Sequence, residues 1–257
     1  GDHRDLHSFP TRRSSDLALQ QREQNMAQLL VGSEGTLAFT RQLTLRLQPI
    51  PTHKVLGICH FSSFYQAMES TQHIVDLAPD AVELVDRTLI DLALDIPIFK
   101  DTLTRFVQGD PEALLLVEFA GEEPTQLQQQ LGDLSTLMAD LGHPGSVVDL
   151  VNPADQQSVW EVRKSGLNIM MSMKGDRKPV SFIEDCAVPL EHLAEFTDRL
   201  TRIFEKHGTR GTWYAHASEG CLHVRPVLNI KSPEDVRKMR SIAEQAFSIV
   251  RDRKSVV

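Results

Sequence analysis

Apolar residues along the chain recur at two spacings, alternate positions and every third or fourth position, and the switch between them marks out the elements. Residues 35–47 alternate Leu43, Leu45 and Leu47 against Gln42, Thr44 and Arg46, which predicts a half-buried strand. Gln48-Pro49-Ile50-Pro51 stops it and marks a domain border. Beyond that border the pattern predicts strands over 54–60, 81–85, 113–119, 146–150 and 180–188. Helices are predicted over 64–78, 124–141, 190–205 and from Asn152-Pro153 to about residue 173, where proline at the first helical position costs no hydrogen bond. A closing helix starts at Ser232-Pro233-Glu234-Asp235 and sets Val236, Met239, Ile242, Ala243, Ala246 and Ile249 on one stripe. Strands and helices alternate while the turns permit hairpins, so the fold class is α+β: an antiparallel sheet with helices packed on one face.

Composition narrows the function classes. The 257 residues are 41% apolar and carry a net charge of -8, which argues against a polyanion-binding surface and so against a nucleic-acid partner. No apolar run approaches the ~18 residues of a membrane span. The three cysteines, Cys59, Cys186 and Cys221, are odd in number and lack CxxC spacing, which disfavours a disulfide scaffold and favours a reducing, cytoplasmic setting. Residues 1–17 and 251–257 read as non-native or disordered tails.

Chemistry concentrates between Gly211 and Asn229. Ser218-Glu219-Gly220 predicts a hairpin turn between strands over 212–216 and 221–226. Leu222 and Val224 then face the core, and Cys221, His223 and Arg225 face away. If His216 lies opposite Cys221 it joins the second face, diagonal to His223. Two imidazoles beside an arginine suit a partial divalent-metal site or an acid/base pair over an anionic substrate; a structural hydrogen-bonded histidine pair has the same spacing. Cys59-His60 reads as core; Glu83 and Asp86 flank a strand end from which they could reach the site, and read more simply as surface groups.

The segment HASEGCLHVRP resembles the H-x6-H element in the C-terminal domain of FAD-linked 2-hydroxyacid dehydrogenases and oxidases of the vanillyl-alcohol-oxidase class. Three further stretches follow that family's order: Gly32-Ser33-Glu34-Gly35-Thr36-Leu37 is similar to its last flavin-contacting turn, Trp160-Glu161-Val162-Arg163 to its W-x-x-R helix, and Asp185-Cys186-Ala187-Val188-Pro189 to its aspartate-x-x-V-P strand. The details are most similar to bacterial D-lactate and D-2-hydroxyglutarate dehydrogenases fused to an iron–sulfur domain. The resemblance implies a ferredoxin-like cap domain over 51–250, preceded at 18–50 by the remnant and last strand of an FAD domain. It implies oxidation of a D-2-hydroxy acid to the 2-oxo acid by hydride transfer to FAD, with a divalent metal, zinc or manganese. The electron acceptor would be an iron–sulfur domain, quinone or cytochrome, with any iron–sulfur cluster in a fused domain outside this chain. Peripheral attachment to the inner membrane and homo-oligomerisation are compatible with it.

By the same resemblance Gly32, Ser33, Glu34, Gly35 and Thr36 bind the flavin, His216 and His223 hold the metal or position the base, and Arg163 clamps the substrate carboxylate. Some relatives carry a substrate lysine in the strand that here reads Phe182-Ile183-Glu184, where Ile183 cannot serve; either Lys178 substitutes from the strand's start or the substrate differs, and Arg225 suits a second substrate carboxylate. The family's later E-H-G element does not occur in the sequence, so the resemblance implies that this chain alone is inactive. A non-catalytic flavoprotein subunit and a zinc hydrolase built on His216 and His223, with Glu184 or Asp185 as third ligand, are the alternatives.

Overall fold

Two long apolar segments, β1 (His53–Phe61) and β3 (Ala113–Gly121), pair antiparallel along their whole length and form the middle of the fold. Both read as near-continuous apolar runs because both of their faces are covered, unlike a sheet with one face in water. A computed structural model describes residues 27–252 apart from 46 and 48, and the chain divides into two units, Gly1–Ile50 and Pro51–Val257.

In the larger unit, β1 is followed by α1 (Phe64–Ile74) and β2 (Ala81–Asp86), then α2 (Arg87–Leu94), α3 (Pro97–Phe106) and β3. Next come α4 (Pro124–Asp140), β4 (Val147–Leu150), α5 (Pro153–Lys164), α6 (Gly166–Met171), β5 (Lys178–Pro179) and β6 (Cys186–Ala187). The unit closes with α7 (Leu193–Lys206), β7 (Gly211–His216), β8 (Cys221–Leu228) and α8 (Pro233–Asp252). The strands form an antiparallel sheet in the order β4-β1-β3-β2-β7-β8-β5, with β6 also paired to β8.

Helices cover both faces of this sheet, where one covered face is expected from the turn pattern. Val55, Cys59, Leu84, Leu115, Val117, Trp213, Leu222 and Val224 point into a core closed by α1, α4, α7 and α8. Leu56, Ile58, Val85, Leu114 and Leu116 point into a second, smaller core closed by α2, α3, α5 and α6. Helices α2 and α3 are absent from the sequence pattern reading, although Asp86 caps the first through the Leu89 N–H and Pro97 opens the second. The helix expected from residue 153 to about 173 is broken at Ser165–Gly166. A Cβ on Gly166 would meet the Leu89 side chain at 2.8 Å, so glycine lets α6 close on α2.

Two expected strands are replaced. Over residues 180–188 only β6 is extended. The Val180 N–H reaches the Pro226 carbonyl and the Val188 N–H the Gly220 carbonyl, but the chain between them loops outward through Asp185, whose φ is 62°. Residues 35–45 form no strand either, and Leu37, Leu43 and Leu45 are exposed among the described residues; residue 46 of the expected strand lies outside them. The tail expected over 1–17 lies outside the described residues, as do 253–257, while α8 runs through to Asp252.

Asp86, expected at the surface, is 4% exposed and joins three elements: its carboxylate ends β2, caps α2 and accepts the Trp213 N–H of β7 at 2.8 Å. Burial pushes it up from the ordinary 3.8 to about 7, against the pull of the two backbone donors. The unfolded chain therefore releases this proton at lower pH than the folded one, and stability falls as pH rises between those two values, by up to ~1.4 kcal/mol per pH unit. Urea denaturation of Asp86→Asn against the wild type should give a stability difference that slopes across that window and is flat above it. A difference independent of pH would show that Asp86 titrates normally.

Candidate active site

The β7–β8 hairpin sets the site by register. His216 pairs with Cys221, Tyr214 with His223 and Thr212 with Arg225, so these side chains stand on the face opposite Trp213, Ala215, Leu222 and Val224. This is the diagonal arrangement expected from the sequence, and the His216 and His223 rings lie 5.2 Å apart, edge to face. The turn depends on Gly220: its φ is 63°, and a Cβ there would stand 1.9 Å from the Val188 carbonyl oxygen.

Each imidazole is backed by a carboxylate through Nδ1. His216 meets Glu83 of β2 at 2.7 Å, and His223 meets Asp185 of the looped segment at 2.7 Å. This leaves Nε2 of both rings to act on a ligand, the arrangement by which proteins orient metal-binding histidines. The two rings differ in protonation. The hydrogen bond that His216 donates to Glu83 holds its ring above the ordinary 6.5, while desolvation holds His223 below it despite Asp185. Such divergence separates a proton holder from a neutral base or ligand.

Glu83 also binds Arg163 of α5, Oε2 to the guanidinium at 2.5 Å. Arg163 is 9% exposed, adds a 3.4 Å bond to the Ala215 carbonyl, and keeps one buried donor, Nε, without a protein partner. Its guanidinium lies 5.1 Å from the Tyr214 ring, and that ring stacks on His223 at 4.7 Å. Arg225 is held by a two-pronged pair with Glu184, at 2.7 and 2.9 Å, and Glu184 also accepts from Tyr214 and Ser181. Burial pushes Glu184 up, but the Arg225 fork and the hydroxyls outweigh it and hold the carboxyl below its usual range. Arg225 is thus committed to a protein carboxylate, where the sequence suggests a cation for a second substrate carboxylate.

Two guanidiniums face three carboxylates here, which leaves the face one charge negative when the histidines are neutral. An anionic ligand would need an added cation, and the carboxylate-backed imidazoles have the chemistry to hold a divalent one. Among the described residues, the metal-competent set that closes to within 4.8 Å is Asp185, Cys221 and His223; His216 is outside it. Lys178 stands apart: its ammonium donates to the carbonyls of Met171 and Met173 at the end of α6. Trp160 bonds Glu118, not the histidine face. In the other unit, Gly32–Thr36 forms a turn closed by the Thr36 N–H on the Ser33 carbonyl at 2.8 Å. Gly32 and Gly35 both take positive φ with open space over the Cβ position, which fits close backbone approach by a flavin.

Tyr214 and the role of Asp185 as a histidine partner have no signal in the sequence pattern, and Glu83, able to reach the site from its strand end, reads there more simply as a surface group. Glu83 was legible in part: its strand places it on the same face as Val85, where a carboxylate toward a core demands a partner.

Residues 50–253 match the family described as FAD linked oxidases, C-terminal domain. The D-2-hydroxyglutarate dehydrogenase of Pantoea ananatis is 28% identical over 235 residues, 88% of this chain and 23% of that protein. The mitochondrial cytochrome-type D-lactate dehydrogenase of Arabidopsis thaliana is 29% identical over 222 residues, 83% of this chain and 36% of that protein. The chain thus spans about a quarter to a third of the length of these relatives. The fold is that of alkyldihydroxyacetonephosphate synthase (TM-score 0.64, 13% identity, 92% of this chain and 46% of that one) and p-cresol methylhydroxylase (0.58, 10%, 81% and 45%).

NMR titration of the histidine rings should place His216 above 6.5 and His223 below it, and Glu83→Gln should bring His216 down towards the ordinary value. Rings that titrate together, or a His216 that ignores the substitution, would refute the Glu83 pairing.

Proposed function

Because the chain belongs to the FAD-linked oxidases, through their C-terminal domain, we propose that it is the substrate-handling part of a flavin-dependent oxidoreductase converting a D-2-hydroxy acid, D-lactate or D-2-hydroxyglutarate, to the 2-oxo acid. The observation that carries this reading is the convergence of Arg163, His216 and His223 on one face of the β2–β7–β8 ladder, with a carboxylate behind each. The D-2-hydroxyglutarate and D-lactate dehydrogenases named above supply the substrate class.

A 2-hydroxy acid has two handles, a carboxylate and the hydroxyl next to it. Arg163 takes the carboxylate, sharing its charge between substrate and Glu83. The hydroxyl must lose its proton as the neighbouring C–H leaves with its electron pair, and His223, the neutral ring, stands ready to receive it or to hold a metal that acidifies the hydroxyl. His216 keeps its proton through Glu83 and stabilises the negative charge that develops on that oxygen. Tyr214, stacked on His223 and tied to Glu184, fixes the ring plane and keeps bulk water from that side. When bound, FAD supplies the hydride acceptor, and the turn at Gly32–Thr36 is the part of this chain suited to touch it. Among the described residues no helix is long and apolar enough to cross a membrane, so the reading assigns this chain no spanning helix.

The test uses the uninterrupted polypeptide that contains this chain, loaded with FAD and assayed by dye reduction on D-lactate and D-2-hydroxyglutarate. Oxidation of either acid is expected. His223→Asn should lower kcat by about 10²–10⁴-fold, and Arg163→Met should raise KM as well. A protein that holds flavin but reduces no dye with either acid, or a His223 variant with full turnover, would overturn the assignment.

A further inference from the structure

On the sheet face turned away from the histidines, a cavity of about 270 Å³ opens between the start of α1, the end of β2, the start of β7 and α7. Phe64, Tyr65 and Trp213 give it aromatic walls, and Asp86, Glu112 and Asp198 bring three carboxylates to it. We propose that this cavity binds a small organic ammonium ion that also carries a hydroxyl, an amino alcohol or its N-methylated form.

Strand parity separates this cavity from the candidate active site. Trp213 shares the larger core with Ala215 and Leu84, whereas Tyr214, His216 and Glu83 stand on the other side of the same strands. Three features select the ligand. The first is charge. Arg87 also lines the cavity, but Asp91 and Asp110 hold its guanidinium, and Arg202 pairs with Asp198 at 2.8 Å. With Arg210 acting on Asp86, three guanidiniums face five carboxylates, so the cavity favours a cation. The second is the aromatic wall. The Phe64 and Trp213 rings lie 5.3 Å apart and tilted by 44°, forming a corner whose ring faces attract an ammonium group, an N-methylated one above all. The third is an unused donor. Trp213 is 5% exposed, and its side chain makes no hydrogen bond among the described residues; its backbone N–H is the group bound to Asp86. The indole Nε1 stands on the cavity wall at Gly211, where an added Cβ would come within 2.9 Å of it. That N–H calls for an acceptor, which a bare alkylammonium lacks and a hydroxyl supplies. The volume falls just short of the range typical of drug-sized ligands and suits a smaller one.

The test reads no turnover, so it stands or falls apart from the proposed oxidation. The chain has two tryptophans, and Trp160→Phe in the 257-residue protein leaves Trp213 as the only reporter. At about pH 8, where Asp86 is ionised, its fluorescence is followed during titration with choline. A saturable change is expected. The uncharged carbon isostere 3,3-dimethylbutan-1-ol should bind ~tenfold more weakly, and ethyltrimethylammonium, which lacks the hydroxyl, should bind more weakly than choline. Asp86→Asn should weaken choline by ~tenfold, with circular dichroism separating lost binding from lost folding. Glu112→Gln combined with Asp198→Asn removes two charges at less buried positions and should weaken it with the fold intact. No saturable change, equal binding of either analogue, or an affinity that ignores both sets of substitutions would each overturn the proposal.

Discussion

The alternation of side chains across the β7–β8 ladder is the constraint on which the site depends. Trp213, Ala215, Leu222 and Val224 are buried in the larger core, and that burial allows only one register. Every residue between them is thereby assigned to the other face: Tyr214, His216, Cys221, His223 and Arg225. A slip of one residue would bury two imidazoles and an arginine and expose a tryptophan. Apolar burial, with no directional preference of its own, thus places the polar chemistry. Gly220 completes the restraint, because the hairpin can close on the Val188 carbonyl only where no side chain intrudes.

Around that ladder, carboxylates do the positioning. Glu83 is shared between His216 and Arg163, Asp185 backs His223, and Glu184 holds Arg225 and Tyr214. A buried guanidinium or a desolvated imidazole keeps a defined orientation only if something opposite holds it, and here each has one acidic partner from a different element. The β2 strand, the looped segment before β6 and the α5 helix are therefore joined electrostatically at one patch as well as through the cores.

The long strands, the hairpin and the amphipathic helices α1, α4, α7 and α8 are legible because each has a strong apolar period and one face to bury. So is the His216–Cys221 pairing, which follows from turn residues and strand parity. The looped segment is less legible. Phe182 and Ile183 look like strand residues, and Ile183 is indeed buried, but its neighbours turn through a left-handed Asp185 to deliver one carboxylate to His223 and another, Glu184, to Arg225. Helices α2 and α3 were hidden for another reason: they cover the second face of strands whose continuous apolar runs already looked satisfied by one layer. Glu83 and Asp86 lie near a strand end and look like solvent-facing groups, and only the later arrival of β7 beside β2 buries them.

The two-sided sheet also bears on how this protein changes over evolutionary time. Along β7 and β8, residues that hold the fold and residues of the candidate site alternate one by one, on opposite sides of a single backbone layer. A substitution at Tyr214, His223 or Arg225 alters the chemistry of one side and leaves the larger core's packing intact, because the backbone separates them. New specificities can therefore be tried without first being compensated in that core, and the limit on such drift is set by the acidic partners that each change would leave unmatched.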